Sequence, residues 1–376
     1  MKTELTLQER SLTLVRFPIR TDETLQAWDA GDEYLINHIE EKRLPEGKNI
    51  LILNDHFGAL SCWFSRSHNI TMMSDSYITH QGAAHNLKHN ACSEVTLLKS
   101  TDELPSEIDL VLIQLPKSNR YLTWQLAQLR TQLPQGTPVI AVNKAKEIHS
   151  STLKLFEKHL GTTTTSLAWK KHRLVFSQPD CSPIHPVNTF TSWDVEKQNI
   201  TLHNMANVYS GESLDLGARL MLEHIPSNPE YKHIIDLGCG NGVLSVKAAQ
   251  LNPNAKITCI DESFMAVESA RKNLNENLED DAQIQCLANN CLDNFEGENA
   301  SLILCNPPFH QQQAITDHIA WQMFCDAKHV LAKGGQLIVI GNRHLGYDGK
   351  LSRLFSKNQV KVIASNKKFV ILQATK

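Results

Sequence analysis

None of the nine cysteines forms a Cys-x-x-Cys pair, and the nearest two, Cys286 and Cys291, lack zinc-ribbon spacing. Scattered thiols of this kind suit a reducing compartment and exclude a disulfide scaffold. No apolar run approaches the roughly 18 residues that a membrane span needs. The opening stretch Met-Lys-Thr-Glu-Leu-Thr has no apolar signal-peptide core. The expectation is a cytoplasmic protein with no membrane partner. Charge of one sign is not in excess either: 37 Lys and Arg face 40 Asp and Glu, a net of −3. A dedicated non-specific nucleic-acid binder is usually strongly basic, so any contact with RNA or DNA must come from local patches. His85 and His89 stand four apart on an expected helix, but no third ligand accompanies them, and no metal site is expected.

What remains is an ordinary globular composition, 41% hydrophobic and 20% charged, long enough for two domains. The chain also carries a repeat. Residues 49–61 (NILILNDHFGALS) lie over 233–245 (HIIDLGCGNGVLS), with the apolar strand, the last glycine and the Leu-Ser coinciding. Residues 70–77 then fall on 257–264, Asn86-Leu87 on Asn273-Leu274, Asn90 on Asn277, and 109–116 on 301–308. Three blocks in one order favour duplication over chance likeness of two α/β domains. In the second half, strands are expected at His233–Leu237, Lys256–Ile260, Ala300–Cys305 and Gln336–Ile340. A helix is expected over Ser263–Leu278, with Asp261 and Ser263 as candidate N-caps. Alternating strands and helices imply an α/β fold of two tandem Rossmann-like domains, parallel-rich sheets flanked by helices. The proline-rich stretch Ser177–Pro186 is the candidate linker, which puts the domains at 1–185 and 186–376.

Three segments of the second half carry chemistry. Asp236-Leu237-Gly238-Cys239-Gly240-Asn241-Gly242 ends a strand and opens a helix, the edge at which an α/β sheet binds nucleotide-like ligands. The glycines allow a sharp turn and close approach of a ligand. The spacing differs from the dinucleotide fingerprint Gly-x-Gly-x-x-Gly, and a leading carboxylate repels pyrophosphate. That carboxylate can hold an ammonium group, such as the amino-acid end of S-adenosylmethionine. Asp261, at the end of the next strand, can accept ribose hydroxyls or simply cap a helix. Asn290, after the strand-like Ala282–Leu287, is placed to contact an adenine.

The third segment, Asn306-Pro307-Pro308-Phe309, is the most specific signal. Two prolines force the chain out of the sheet in a rigid loop. Asn306 and the Pro307 carbonyl can then grip the hydrogens of a planar amine whose lone pair is otherwise delocalised, while Phe309 offers a face for an extruded base. No metal or covalent intermediate is required.

These motifs resemble those of class I methyltransferases that modify amino groups. More narrowly, nearly the whole chain resembles the ribosomal RNA guanine-N2 methyltransferases built from a duplicated domain, and among them the large-subunit type. The likeness is carried by Ser11–Leu14 with Arg16-Phe17-Pro18, Gln26-Ala27-Trp28, Ile52–Asp55 with Phe57–Leu60, Thr162–Thr165 with Leu167–Lys171, Leu214–Arg219, and Asn306–Gln312. It implies S-adenosylmethionine as cofactor, 23S ribosomal RNA as partner, free or in an assembling subunit, and a catalytic second domain. The first domain would then be a degenerate copy serving RNA recognition and bracing. The residues agree: Ile52 stands where the second half has Asp236, Asn54 and His56 stand for Gly238 and Gly240, and Gln114-Leu115-Pro116-Lys117 stands for the Asn306 loop.

The resemblance also implies that Tyr209 and Ser210 close over the cofactor, although a packed entry helix explains them equally. Trp169-Lys170-Lys171-His172-Arg173 could hold phosphate and stack a base, or be a protected strand edge. Lys367 and Lys368 mark the matching place in the second half, and Asn342-Arg343-His344 could touch substrate. A monomer could suffice. The loop alone does not separate guanine N2 from adenine N6 or a protein glutamine amide. An RNA-binding ribosome assembly factor is the rival of another class, and a dehydrogenase is disfavoured by the glycine spacing.

Overall fold

The computed structural model describes residues 2–296, 299–308 and 313–376. It divides into two compact units, Met1–Thr189 and Phe190–Lys376. Between β9 (His172–Ser177) and β10 (Thr191–Val195) there is no regular structure, as expected where prolines remove donors and restrict the backbone.

The first unit opens with the hairpin β1 (Glu4–Leu7) and β2 (Arg10–Thr13), then α1 (Ala30–Lys42). Its sheet is built from β3 (Asn49–Leu53), α2 (Ala59–Phe64), β4 (Asn69–Ser74), α3 (Tyr77–His89), β5 (Val95–Lys99), β6 (Leu110–Gln114), α4 (Asn119–Gln132), β7 (Val139–Lys144), α5 (Ser150–His159), β8 (Thr163–Thr165) and β9. The second unit repeats this plan. The hairpin of β10 and β11 (Ile200–Asn204) leads to α6 (Leu216–Leu222). The sheet follows with β12 (His233–Leu237), α7 (Val243–Leu251), β13 (Lys256–Asp261), α8 (Phe264–Asn277), β14 (Ile284–Ala288), β15 (Ala300–Cys305), α9 (Gln313–Val330), β16 (Leu331–Asn342), α10 (Tyr347–Phe355), β17 (Val360–Ser365) and β18 (Phe369–Thr375).

The two seven-stranded sheets run β5-β4-β3-β6-β7-β9-β8 and β14-β13-β12-β15-β16-β18-β17, the same order with the same sense. Five strands of each are parallel, and the last hairpin joins antiparallel. The central strands are buried along their whole length, because helices cover both faces; hence their unbroken apolar runs. Each unit has two apolar layers, one on either side of its sheet.

The expected strands of the second half are present, with β16 extending beyond Gln336–Ile340 at both ends. The helix cap is resolved in favour of Ser263, whose hydroxyl accepts the Ala266 N–H at 3.1 Å. Asp261 ends β13 instead and bonds elsewhere. The duplication reaches the packing: Gly58 and Gly242 both start a helix at positive φ, +82° and +77°. A Cβ on either would stand 3.0 Å or less from Ala83 or Ala270 of the neighbouring helix. The basic cluster at 169–173 is a two-residue hairpin turn, with Lys170 and Lys171 both at positive φ between Trp169 and His172. Among the described residues no helix is long and apolar enough to cross a membrane, and no three His, Cys, Asp or Glu are grouped to hold a metal.

Candidate active site

In the second unit the chain order reverses between β12 and β15, and the carboxyl ends of these strands bring the sequence motifs together. Asp236, the next-to-last residue of β12, is 1% exposed. One carboxylate oxygen, Oδ2, accepts the Ser245 hydroxyl at 2.5 Å, while Oδ1 is buried without a partner. Burial pushes this carboxyl up to about 7, Asp261 adds to the rise, and the bonds from Ser245 oppose it. A buried carboxyl with one bare oxygen is suited to a cation that pairs with it.

The glycine turn hangs on the end of β13. The N–H groups of Gly238 and Cys239 donate to the Ile260 carbonyl at 2.8 and 3.0 Å, and Gly240 N–H donates to Asp261 Oδ2 at 2.9 Å. The other oxygen of Asp261 accepts Ser263 N–H at 3.0 Å. A Cβ built on Gly240 meets nothing within 4 Å, so the turn presents bare backbone to open space. At Gly238 the same Cβ would stand 3.1 Å from the Met323 methyl and 3.9 Å from the Asn306 carbonyl oxygen. The glycine turn and the Asn306 loop therefore adjoin.

Asn306 follows β15. Its amide nitrogen donates to Asp215 Oδ2 at 3.3 Å, and its side-chain oxygen is buried with no partner. Pro307 is buried and Pro308 exposed; Phe309 lies outside the described residues. Asp215 caps α6 through the Ala218 N–H at 2.9 Å and accepts the Tyr209 hydroxyl at 3.4 Å. Burial, then the charge of Asp215, raises the Tyr209 phenol above its ordinary value, yet more than half of the residue is exposed, 55%. Ser210, beside it, turns at φ 51°. Asn290 is 3% exposed, and its amide donates to Asp293 Oδ2 at 2.6 Å within the turn after β14.

The sequence reading did not single out Ser245, Met323 or the bond from Asn306 to Asp215. A signal existed for two of them: Ser245 recurs as Ser61, and Asp215-Leu216-Gly217 as Asp29-Ala30-Gly31. A cavity of about 840 Å³ adjoins the turn after β14, lined by Asn289 and Asp293 together with Lys232, His233, Lys256 and Ser301 at the amino-terminal starts of strands.

The same sheet edge of the first unit is filled by its own side chains. Asn54 keeps the positive φ of Gly238, at 63°, but its amide donates to the Gln114 carbonyl at 2.9 Å and to Gln125 at 3.2 Å. Asp55 turns inward and accepts the Ser61 N–H and hydroxyl at 2.8 and 2.6 Å, and Leu60 N–H at 3.4 Å. The Gln114 amide bonds Asp32. The Asp55 carboxylate and the Asn54 carboxamide are satisfied internally, and among the described residues of this unit the side-chain oxygen buried without a partner is a phenol, that of Tyr121, and not a carboxylate or carboxamide.

The second unit fits S-adenosylmethionine on these grounds: a bare buried carboxylate for an ammonium, open backbone at Gly240, and Asp261 at the next strand end. The comparisons with known proteins agree. Residues 2–181 match the family described as RLMG N-terminal domain, and residues 199–373 the Methyltransferase small domain. The chain is similar to ribosomal RNA large subunit methyltransferase G of Vibrio vulnificus (strain YJ016), 69% identical with both chains covered completely. The protein of that name from Vibrio cholerae serotype O1 (strain ATCC 39315) is 65% identical over the same coverage. A solved T. thermophilus 16S rRNA N2 G1207 methyltransferase, in complex with AdoMet and guanosine, aligns over 100% of this chain and 97% of its own. Its TM-score is 0.76 at 20% identity, a likeness of fold.

Proposed function

The chain belongs to the ribosomal RNA large subunit methyltransferase G family, and on that premise we propose that it methylates the exocyclic N2 amine of one guanosine in 23S ribosomal RNA. It is an S-adenosylmethionine-dependent methyltransferase of large-subunit ribosomal RNA, working in the cytoplasm. The observation that carries the chemistry is the buried, partnerless side-chain oxygen of Asn306, next to the glycine turn.

Asp236 would pair with the ammonium of the cofactor, Gly238, Gly240 and Gly242 would shape the turn around it, and Asp261 would take the ribose hydroxyls. Asn290 would face the adenine through its backbone, since its amide is engaged by Asp293. Tyr209 and Ser210 would border the pocket. When bound, the cofactor supplies an electrophilic methyl on a sulfonium. The chain supplies position and electrostatics: Asn306 and the Pro307 carbonyl accept the two hydrogens of the amine, which turns the nitrogen lone pair outward. The nitrogen gains a methyl and releases one proton to solvent, since a carboxamide is no base. Pro308 keeps the loop rigid, and Phe309 would stack the base. The first domain, with its cofactor edge filled, would serve RNA recognition, with Lys171 of the 169–173 turn exposed for phosphate. One chain contains every residue named, so a monomer suffices.

The test is methyl transfer from labelled S-adenosylmethionine to ribosomal RNA from cells lacking the protein, on free RNA and on assembled subunits, with nucleoside analysis. Label in N2-methylguanosine of 23S RNA is the expected result. Label in methyladenosine or in protein would overturn the guanine assignment.

A further inference from the structure

We propose that Asp215 is a positioning residue for methyl transfer, its carboxylate fixing which end of the Asn306 carboxamide meets the substrate amine. This rests on the reading of Asn306 given above. A carboxamide is nearly symmetric in shape but not in function. One end donates, the other accepts, and a half-turn about its last torsion exchanges them. Only the accepting end can grip an amine; the donating end would set N–H against N–H.

The structure supplies a reason for the amide to stay one way round. Its nitrogen donates to Asp215 Oδ2 at 3.3 Å, and its oxygen is left buried and unbonded. An ionised carboxylate only accepts, so the reversed amide would place oxygen against oxygen in a part-buried site. Asp215 is itself held, by the Ala218 N–H at 2.9 Å and the Tyr209 hydroxyl at 3.4 Å. Gly217 leaves room for the pair: a Cβ there would stand 2.9 Å from Asp215 Oδ2 and 3.7 Å from Asn306 Oδ1.

The first domain sets the condition that a test must meet. There Gln114, in the place of Asn306, also donates to a carboxylate of the preceding helix, Asp32. Such a bond fastens a helix to a strand end even where no chemistry is expected, so loss of activity alone does not separate positioning from fastening.

The experiment compares Asp215→Ser and Asp215→Asn with wild type and Asn306→Ala. Serine caps a helix as well as aspartate but is too short to reach Asn306, whereas asparagine keeps an acceptor oxygen at that distance. The readouts are single-turnover transfer to unmethylated 23S RNA, KM for RNA, cofactor affinity by calorimetry, and melting temperature. Asp215→Ser is expected to lower the transfer rate about tenfold or more, with KM, cofactor affinity and melting temperature near wild type. Asp215→Asn is expected to recover most of the rate. Combined with Asn306→Ala, Asp215→Ser should cost nothing further. A wild-type rate in Asp215→Ser, or equal losses in both variants accompanied by lower melting temperatures, would overturn the proposal. If Asn306→Ala loses activity while Asp215→Ser keeps the wild-type rate, Asp215 alone fails; if Asn306→Ala keeps full rate, the reading of Asn306 fails with it.

Discussion

Asn86 and Asn273 make the same three hydrogen bonds in the two halves of the chain. Asn86 accepts the Val15 N–H at 3.0 Å and donates to the carbonyls of Val15 and Phe57 at 2.9 and 2.8 Å. Asn273 accepts the His203 N–H at 2.7 Å and donates to His203 and Asn241 at 3.1 and 2.8 Å. One turn further along each helix, Asn90 and Asn277 repeat the grip on Thr13 and Thr201. Each helix thus fastens its amino-terminal segment and the loop after the first sheet strand, and duplication is visible at the level of single hydrogen bonds.

Replacing either asparagine by alanine leaves buried backbone groups unpaired, at a cost of about 2 kcal/mol. Only Asn273 holds the glycine turn, through Asn241. Both variants should melt at lower temperature, and Asn273→Ala alone should weaken cofactor binding. Thermal melts with calorimetry check this; equal cofactor affinity in the two variants would contradict it.

Asp236→Asn should separate stability from binding. A carboxyl whose pKa is raised on folding stabilises the folded state while protonated. That contribution is complete below the ordinary value of 3.8 and is lost as pH rises through about 7. At pH 8 the asparagine variant should therefore melt above wild type in the absence of cofactor, and should lose cofactor affinity.

The same group sets a pH dependence for binding. The ammonium requires an ionised Asp236, so cofactor affinity should fall about tenfold per pH unit below about 7. Titration calorimetry from pH 5.5 to 8.5 in the wild type, with the slope absent in Asp236→Asn, is the expected pattern.

Asn306→Ala should lower transfer by about a hundredfold or more with cofactor affinity unchanged, because the residue grips the amine and not the donor. Single-turnover rates and calorimetry on one preparation decide this.

The filled edge of the first domain predicts one cofactor per chain. Calorimetric stoichiometry should be near one in wild type, and Asp261→Ala should abolish most of the binding by removing the acceptor for the ribose hydroxyls and for the Gly240 N–H. A residual second site would contradict the account of Asn54, Asp55 and Gln114.

Several features were legible in the sequence because they are local. A turn at positive φ asks for glycine, as at Gly242, and a strand that must leave its sheet asks for proline, as at Pro307 and Pro308. The repeat was legible because the asparagines at 86, 90, 273 and 277 keep helical spacing in both halves, although nothing in a single chain says what they hold.

The residues themselves determined the strand order of apolar runs, the glycine turn and the loss of Asp236 and Asn306 counterparts in the first half. Tertiary structure decided which side chains meet. Asn306 finds Asp215 across 91 positions, and Asp236 finds Ser245 only once α7 packs back on β12. Such pairings depend on strand register and crossover geometry, which bring distant residues to one sheet edge. The same geometry leaves Asp236 and Asn306 each with a bare buried oxygen, and turns Asp55 inward to close the corresponding edge in the first domain.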